Sequence, residues 1–362
     1  MWGAYASMAK ILIKNGRVWD GARFFHADVL TEGEWIAKIE PNIADSAETV
    51  YDAFGKTVSV GLVDAHVHMR GISIDKFGTQ AELGCFPFGV TAAADASAEQ
   101  GDGALLSSFL VKNVAFAKVD FKNNRADFTK TEEALRRLGE RAVGVKVYFD
   151  TNISEVRDTA PLRQACDFAH QRGLLVMVHS SHAPVPMKEL LEVLHKGDIL
   201  THAFHGGENS AAEDDFQSLF EAKARGVVID AGFAGHIHTD FDVFFRAIEK
   251  GFIPELISTD LTKRSAYTRG GRYGMTLCMS LAKHAGMREE NIFSAVTSHP
   301  AKALGKSDEW GTLAVGRRAD LTVLEYSDEG FQYTDKVGHH VESREGYRCL
   351  LTVADGQIVY KH

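Results

Sequence analysis

Asp64, His66 and His68 close an apolar run in LVDAHVH, and four later runs end in the same manner. These are Lys146 in VGVKVYF, His179 in LLVMVHS, His202 in ILTHAF and Asp260 in LISTDL. Imidazole nitrogen and carboxylate oxygen are ligands for divalent ions, zinc in particular. A lysine ammonium is not, and burying one is costly unless it is paired or neutralised. Reaction with CO₂ neutralises it by making a carbamate, an anionic group whose two oxygens can bridge two metals. Two His, a Lys, two His and an Asp, in that order, therefore describe a centre for two divalent metal ions, with zinc expected and Lys146 N-carboxylated. Such a pair would share a water as a bridging hydroxide, lower its pKa toward neutrality and polarise a scissile carbonyl. Asp260 would be the general base.

Residues this far apart meet only if the fold gathers the ends of their strands. A barrel of parallel strands does so at its C-terminal mouth, where the active sites of such folds lie. Eight apolar runs fit that number: the one before His66, then VTAAADA, VAFAKVDF, VGVKVYF, LLVMVH, ILTHAF, VVIDAG and LISTD. Helical stretches such as PLRQACDFAHQR, PMKELLEVLHK, DDFQSLFEAKARG and TDFDVFFRAIEKG follow several of them. Near-continuous apolar strands suit a parallel sheet covered on both faces. The two ends have a different texture of short β runs and turn dipeptides, with Asn15-Gly16, Asp20-Gly21 and Asp355-Gly356 read as hairpin-type turns. The expectation is an α/β protein with a (β/α)8 TIM barrel over 60–307 and a small β-sandwich domain built from 1–59 and 308–362. The first seven residues read as a disordered extension.

Composition narrows the partners. The 362 residues are 45% apolar and 25% charged, ordinary for a folded chain. A formal charge of −9 argues against a nucleic-acid partner and offers no basic patch for a membrane. Cys85, Cys166, Cys278 and Cys349 form no CxxC pair and no disulfide framework, as expected of thiols in a reducing compartment. No secretory signal and no apolar stretch of spanning length is evident, so the cytoplasm is the expected location. A small-molecule substrate is implied, and a homo-oligomer is left open.

Each residue also has a plainer reading. With 16 His, about one His-x-His pair arises by chance, and the chain has two, His66/His68 and His236/His238. The first closes a strand and alternation puts both rings on one face; the second follows Gly235 in a loop and is set aside as a ligand pair. Asp260 could merely cap the next helix. Arg70, which continues Asp-Ala-His-Val-His-Met-Arg, could hold a substrate carboxylate through bidentate bonds or sit in a structural ion pair. Ser180, Ser181 and His182 are adjacent, which does not make a nucleophile and its base. FDVFFRAIEK reads as the core face of a helix.

Taken together, the HxH, Lys, His, His, Asp set resembles the amidohydrolase superfamily, in its dihydroorotase- and hydantoinase-like group with a carbamylated lysine. The β-rich ends and SHPAKALG…GTLAVGRRADLTVLE are similar to that superfamily. GDILTHAFHG, PELISTDL and VTSHPAKAL resemble the dihydroorotase-like deacetylase subgroup, associated with small acylated substrates. The resemblance implies that His66, His68 and Asp260 hold one metal, that His179 and His202 hold the other, and that Lys146 bridges them. It implies hydrolysis of an amide or ester in a small, carboxylate-bearing acylated substrate, with Arg70, Tyr148 and His205 as substrate contacts. The alternatives are a cyclic amidase of dihydroorotase or hydantoinase type and a one-metal deaminase; a barrel that has lost its chemistry is disfavoured because all six ligands are present. His205 stands where the subgroup has Asn, Phe233 where it has His, and Gly71-Ile72-Ser73 replaces the Glu-Pro-Gly of true dihydroorotases.

Overall fold

The computed structural model describes residues 9–69, 78–235, 237–268 and 273–362. Arg70, His236 and the first seven residues lie outside the described residues. At the centre, parallel strands follow one another in chain order: Leu62–Val67, Val90–Ala98, Lys112–Lys122, Ala142–Tyr148, Leu175–His179, Ile199–Thr201 and Val228–Ile229. The first two are buried along their whole length, as strands covered on both faces must be. The eighth run, LISTDL, is held by parallel bridges, Asp230 with Leu256 and Val67 with Leu261, and these close the circle. The fold is an α/β TIM barrel.

Alternation explains how the barrel interior becomes a site. Met177, Ile199, Leu256, Val114 and Phe116 fill its floor as one apolar cluster. One alternation further along their strands, Met177 gives way to His179 and Ile199 to Thr201, while Gly144 gives way to Lys146. Gly144 is required there, since a Cβ would come within 2.5 Å of the Leu175 carbonyl and 2.6 Å of the Phe116 ring. The outward alternates Val145, Val147, Val176, Val178 and Leu200 pack into the main core beneath the helices.

Helices Ala160–His170, Met187–Val193, Gln217–Arg225 and Phe241–Glu249 occupy the predicted stretches. The last buries Phe241, Val243, Phe244, Ala247 and Ile248, and Asp240 caps it by accepting from the Asp242 and Val243 amides. Its phenylalanines are core, as their spacing predicts.

Both chain ends enter one sheet. Thr57–Val60 pairs in parallel with Lys10–Trp19 on one side and antiparallel with Leu321–Ser327 on the other, so N- and C-terminal strands interleave. Asp20-Gly21 and Asp355-Gly356 turn hairpins between the strands that flank them. Asn15-Gly16 does not. It lies inside the single strand Lys10–Trp19, where the register to its neighbour shifts. Asn15 takes φ 61° there and its amide donates to Asp28 Oδ1 at 2.8 Å. A positive-φ Asn before Gly suits a bulge as well as a turn, and pairing on both flanks selects the bulge.

Candidate metal centre

The imidazoles of His66, His68, His179 and His202 converge at the barrel mouth together with Lys146 and Asp260. His66 lies 5.4 Å from His68 and 5.2 Å from His202 between ring centroids, and His202 lies 4.7 Å from His179. Asp260 Oδ1 approaches His68 Nε2 to 2.8 Å and His66 Nε2 to 3.2 Å, and Lys146 Nζ is 3.2 Å from the same His66 nitrogen. All are buried. Asp260 is not a helix cap; Thr262 Oγ1 instead accepts the Ser265 amide at 3.1 Å.

Hydrogen bonds on the far side of three rings fix which nitrogen faces inward. His202 Nδ1 donates to the Gly232 carbonyl at 2.7 Å, and a carbonyl can only accept, so Nε2 keeps its lone pair. His179 Nε2 donates to Asp150 Oδ2 at 3.0 Å, which leaves Nδ1 free to bind. Thr201 Oγ1 gives its proton to Asp230 Oδ2 at 2.7 Å and accepts from His66 Nδ1 at 2.9 Å, so His66 Nε2 also presents a lone pair. Such outer partners orient metal-binding imidazoles. His68 Nδ1 pairs with Ser97 Oγ at 3.0 Å.

Electrostatics agree. Burial, reinforced by the Lys146 charge, holds His66 well below the usual imidazole range, and burial does the same to His202. Burial also lowers His179, against the pull of Asp150. These rings stay neutral at working pH, the form that binds metal. Burial drops the Lys146 ammonium to about 7, although Asp260 and Asp230 pull it upward. Among the described residues no carboxylate forms an ion pair with Lys146 Nζ.

A divalent ion fits this set. His202 Nε2 and Asp260 Oδ1 are buried atoms with no hydrogen-bond partner among the described residues. Asp260 Oδ1 is close to both histidines, yet no contact has hydrogen-bond geometry; such crowding suits atoms aimed at a shared ion. His66, His202 and Asp260 offer ligand atoms within 4.8 Å of one another, as do His179, His202 and His238. His202 belongs to both groups and stands between them.

Backbone strain marks the same place. His202 and Asp260 adopt φ of 61° and 46°, unusual for residues with side chains. Gly232, at φ 53°, makes room for His202: a Cβ would fall 2.4 Å from Thr201 Oγ1 and 2.8 Å from His202 Nδ1.

The remaining candidates sit around the rim. The half-buried Tyr148 ring lies 5.5 Å from that of His179. His205 is buried, its Nε2 has no hydrogen-bond partner among the described residues, and burial holds its pKa to about 4. Phe233 is core, edge-on to Phe244 at 5.2 Å.

Several members escaped sequence reasoning. His238, from the pair set aside as a loop, lies tilted 4.1 Å from His202 and edge-on 4.6 Å from His179 between ring centroids, with Nδ1 3.0 Å from Ser181 Oγ. It lies in a loop well beyond the strand Val228–Ile229, so the strand-end rule gave no signal. Asp230 does end a run, in VVIDAG, and obeyed the rule unnoticed; burial pushes its carboxyl up to about 6. Asp150 follows Tyr148 closely enough to be read the same way. Asp64 faces Thr259, accepting from its hydroxyl at 2.6 Å, and burial raises it to about 7. A groove of about 1310 Å³ between Met275–His284 and the hairpin Phe331–Ser343 contains none of these residues and carries no converging ligands.

Comparison with known proteins gives the same picture. A model described as "Amidohydrolase family" matches residues 264–360. A protein named "Deacetylase" from Enterococcus faecalis is 28% identical, over 96% of this chain and 98% of its own length. Another "Deacetylase", from Brucella anthropi, is 30% identical over 79% of this chain and 76% of its own. A solved dihydroorotase superposes with a TM-score of 0.85 at 26% identity, covering 98% of both chains. Since a relative 30% identical spans 79% of the chain, a dihydroorotase shares the barrel over 98% of both chains, and the interior here holds inward-facing imidazoles around a buried lysine, the chain belongs to the amidohydrolase family of metal-dependent hydrolases.

Proposed function

We propose that this hydrolase cleaves the acyl bond of a small, carboxylate-bearing amide or ester, as a deacetylase does, with two divalent ions held by His66, His68, Lys146, His179, His202 and Asp260. One observation carries the two-ion reading: a buried lysine, with no carboxylate ion pair among the described residues, touches a histidine whose lone pair faces the same space. The ammonium loses one proton to become the amine, the amine nitrogen bonds to the CO₂ carbon and a second N–H proton leaves. The side chain becomes a carbamate whose single negative charge is shared by two oxygens, and the buried cation is removed. Ions at this site, with zinc the proposed metal, would supply Lewis-acid polarisation of the scissile carbonyl and ionise water near neutral pH.

The chain's own groups do the rest. Asp260, with one oxygen toward His66 and His68 and the other 3.8 Å from His202, takes the proton of the attacking water and passes it to the leaving nitrogen or oxygen. Tyr148, His205 and Arg70 are the proposed substrate contacts. A cyclic amidase is the second reading, supported by the likeness to a dihydroorotase along the whole chain.

The test is a panel of N-acyl amino acids, O-acetyl hydroxy acids and cyclic amides, with metal counted on the same sample. Turnover of acyclic acyl compounds with close to two ions per chain supports the proposal. Turnover confined to cyclic amides moves the assignment to the second reading, and one ion after growth with zinc and bicarbonate removes the two-ion centre.

A further inference from the structure

We propose that Lys336, carried by the C-terminal hairpin, is the specificity-determining cation that anchors the substrate carboxylate at the barrel mouth beside His205. This rests on the hydrolase reading above, and it draws on a part of the chain remote from the ligand set.

Lys336 lies between the hairpin strands Phe331–Thr334 and His340–Ser343. Its backbone amide reaches the Thr239 carbonyl at 3.4 Å, next to His238, and its Nζ donates to the Gly206 carbonyl at 2.8 Å, next to His205. The Asp240 amide donates to the Phe204 carbonyl at 3.0 Å, tying those two loops together. The lysine therefore bridges the loop after His202 and the loop that brings in His238, both of which rim the metal-binding histidines.

The support beneath it is rigid. Asp335 Oδ1 accepts the amides of Val337, Gly338 and His339 at 2.9, 2.8 and 2.8 Å, and Oδ2 accepts the Phe241 amide at 2.9 Å. The turn bearing Lys336 is thereby fastened to the first residue of the helix Phe241–Glu249. A preorganised cation loses little freedom on binding an anion.

The ammonium still has donors to give. It carries three N–H groups, Gly206 takes one, and among the described residues no carboxylate forms an ion pair with it. It is half-buried, so a charge-assisted bond to an anion is stronger than on an open surface. Burial first and the Lys336 charge second lower the pKa of His205, and Asp240, Asp335 and Asp150 act on the ammonium without forming an ion pair among the described residues. His205 Nδ1 donates to the Gly206 carbonyl at 3.4 Å, so its unpartnered Nε2 keeps a lone pair and can accept from a substrate N–H but not from a carboxylate. The fixed ammonium is therefore the group that suits a carboxylate at the end of a substrate whose acyl group lies among the histidines.

The experiment uses an N-acetyl amino acid and its carboxamide with metal-loaded wild type, Lys336→Gln, Lys336→Met and Lys336→Arg. Gln keeps a donor for Gly206 without the charge, so it serves if the Met variant does not fold. The preference for the acid over the amide in kcat/KM should fall about tenfold or more in Gln and Met, mainly through KM, and recover partly in Arg. Calorimetric binding of the same pair separates this proposal from the hydrolase reading: if nothing is turned over, wild-type preference for the acid that is lost in Gln still supports the anchor. Absence of any wild-type preference overturns it, and so does equal loss on acid and amide. A preference lost in Arg70→Met but intact in Lys336→Gln assigns the anchor to Arg70 and also overturns it.

Discussion

His179 Nε2 donates to Asp150 Oδ2 at 3.0 Å, and that bond turns the other ring nitrogen toward the centre. Asp150 is itself steadied by the Asn152 amide at 2.7 Å and lies 3.3 Å from His182 Nδ1. Asp150→Asn should weaken metal affinity by roughly 10–100-fold, the usual effect of losing the partner that orients a ligating histidine. Chelator competition measures it. An unchanged affinity would show that Asp150 only braces its loop.

Lys146 sets a pH dependence. The amine adds CO₂ only when neutral, and burial puts its midpoint at about 7. At fixed CO₂ pressure, reactivation of metal-free protein with zinc should be about tenfold faster one unit above that midpoint than one unit below it, following the neutral fraction. The metal-free, uncarboxylated chain has a second signature. Between about 7 and 10.5 the unfolded lysine holds more proton than the folded one, so stability rises with pH across that window. A melting temperature that falls across it would contradict a depressed Lys146.

Lys146→Ala removes the proposed bridging group altogether. Activity should be nearly abolished and metal content should drop, and a short carboxylic acid in the buffer should restore part of both by supplying two oxygens. A fully metallated, fully active Ala variant would exclude the carbamate.

Asp260→Asn preserves shape and removes the base. Its kcat should fall by about 10²–10⁴-fold, the range that positioned acid–base groups contribute. A kcat within a few-fold of wild type, with metal retained, would assign the proton transfer elsewhere.

Gly232→Ala tests the strained pocket around His202. The left-handed backbone alone costs a side chain about 1–2 kcal/mol. The new methyl also presses on Thr201 Oγ1 and His202 Nδ1, at 2.4 and 2.8 Å. Both melting temperature and metal occupancy should fall. A drop in stability with full occupancy would mean that His202 tolerates displacement.

What the sequence made legible follows from local rules. Alternation and strand ends located His66, His68, Lys146, His179, His202 and Asp260, because a parallel barrel converts sequence position into depth. The same rule extends to Asp230 and Asp150, whose carboxylates support the ligands from behind. His238 was illegible because it reaches the mouth from a loop beyond the strand Val228–Ile229, where no periodicity applies, and Asn15-Gly16 because a bulge and a turn use the same residues. Lys336 reaches the mouth only through contacts between distant segments, which no local pattern encodes. No helix among the described residues is long and apolar enough to cross a membrane.

The barrel's last joint has a consequence for folding. Its eighth run is stitched to the first by the Val67–Leu261 bridge and by Thr259 on Asp64, the latter pair separated by 195 residues, so closing this seam carries the entropy cost of a long loop. His66 and His68 lie on one lip of it and Asp260 on the other. An ion shared across those lips, as proposed, would be a zipper pull as well as a reagent: it would bind only the closed circle and add its binding energy to closure. Amide hydrogens near Leu256 and Leu261 should then exchange faster in metal-free protein than those of the strand Ala142–Tyr148, and slow together when metal returns.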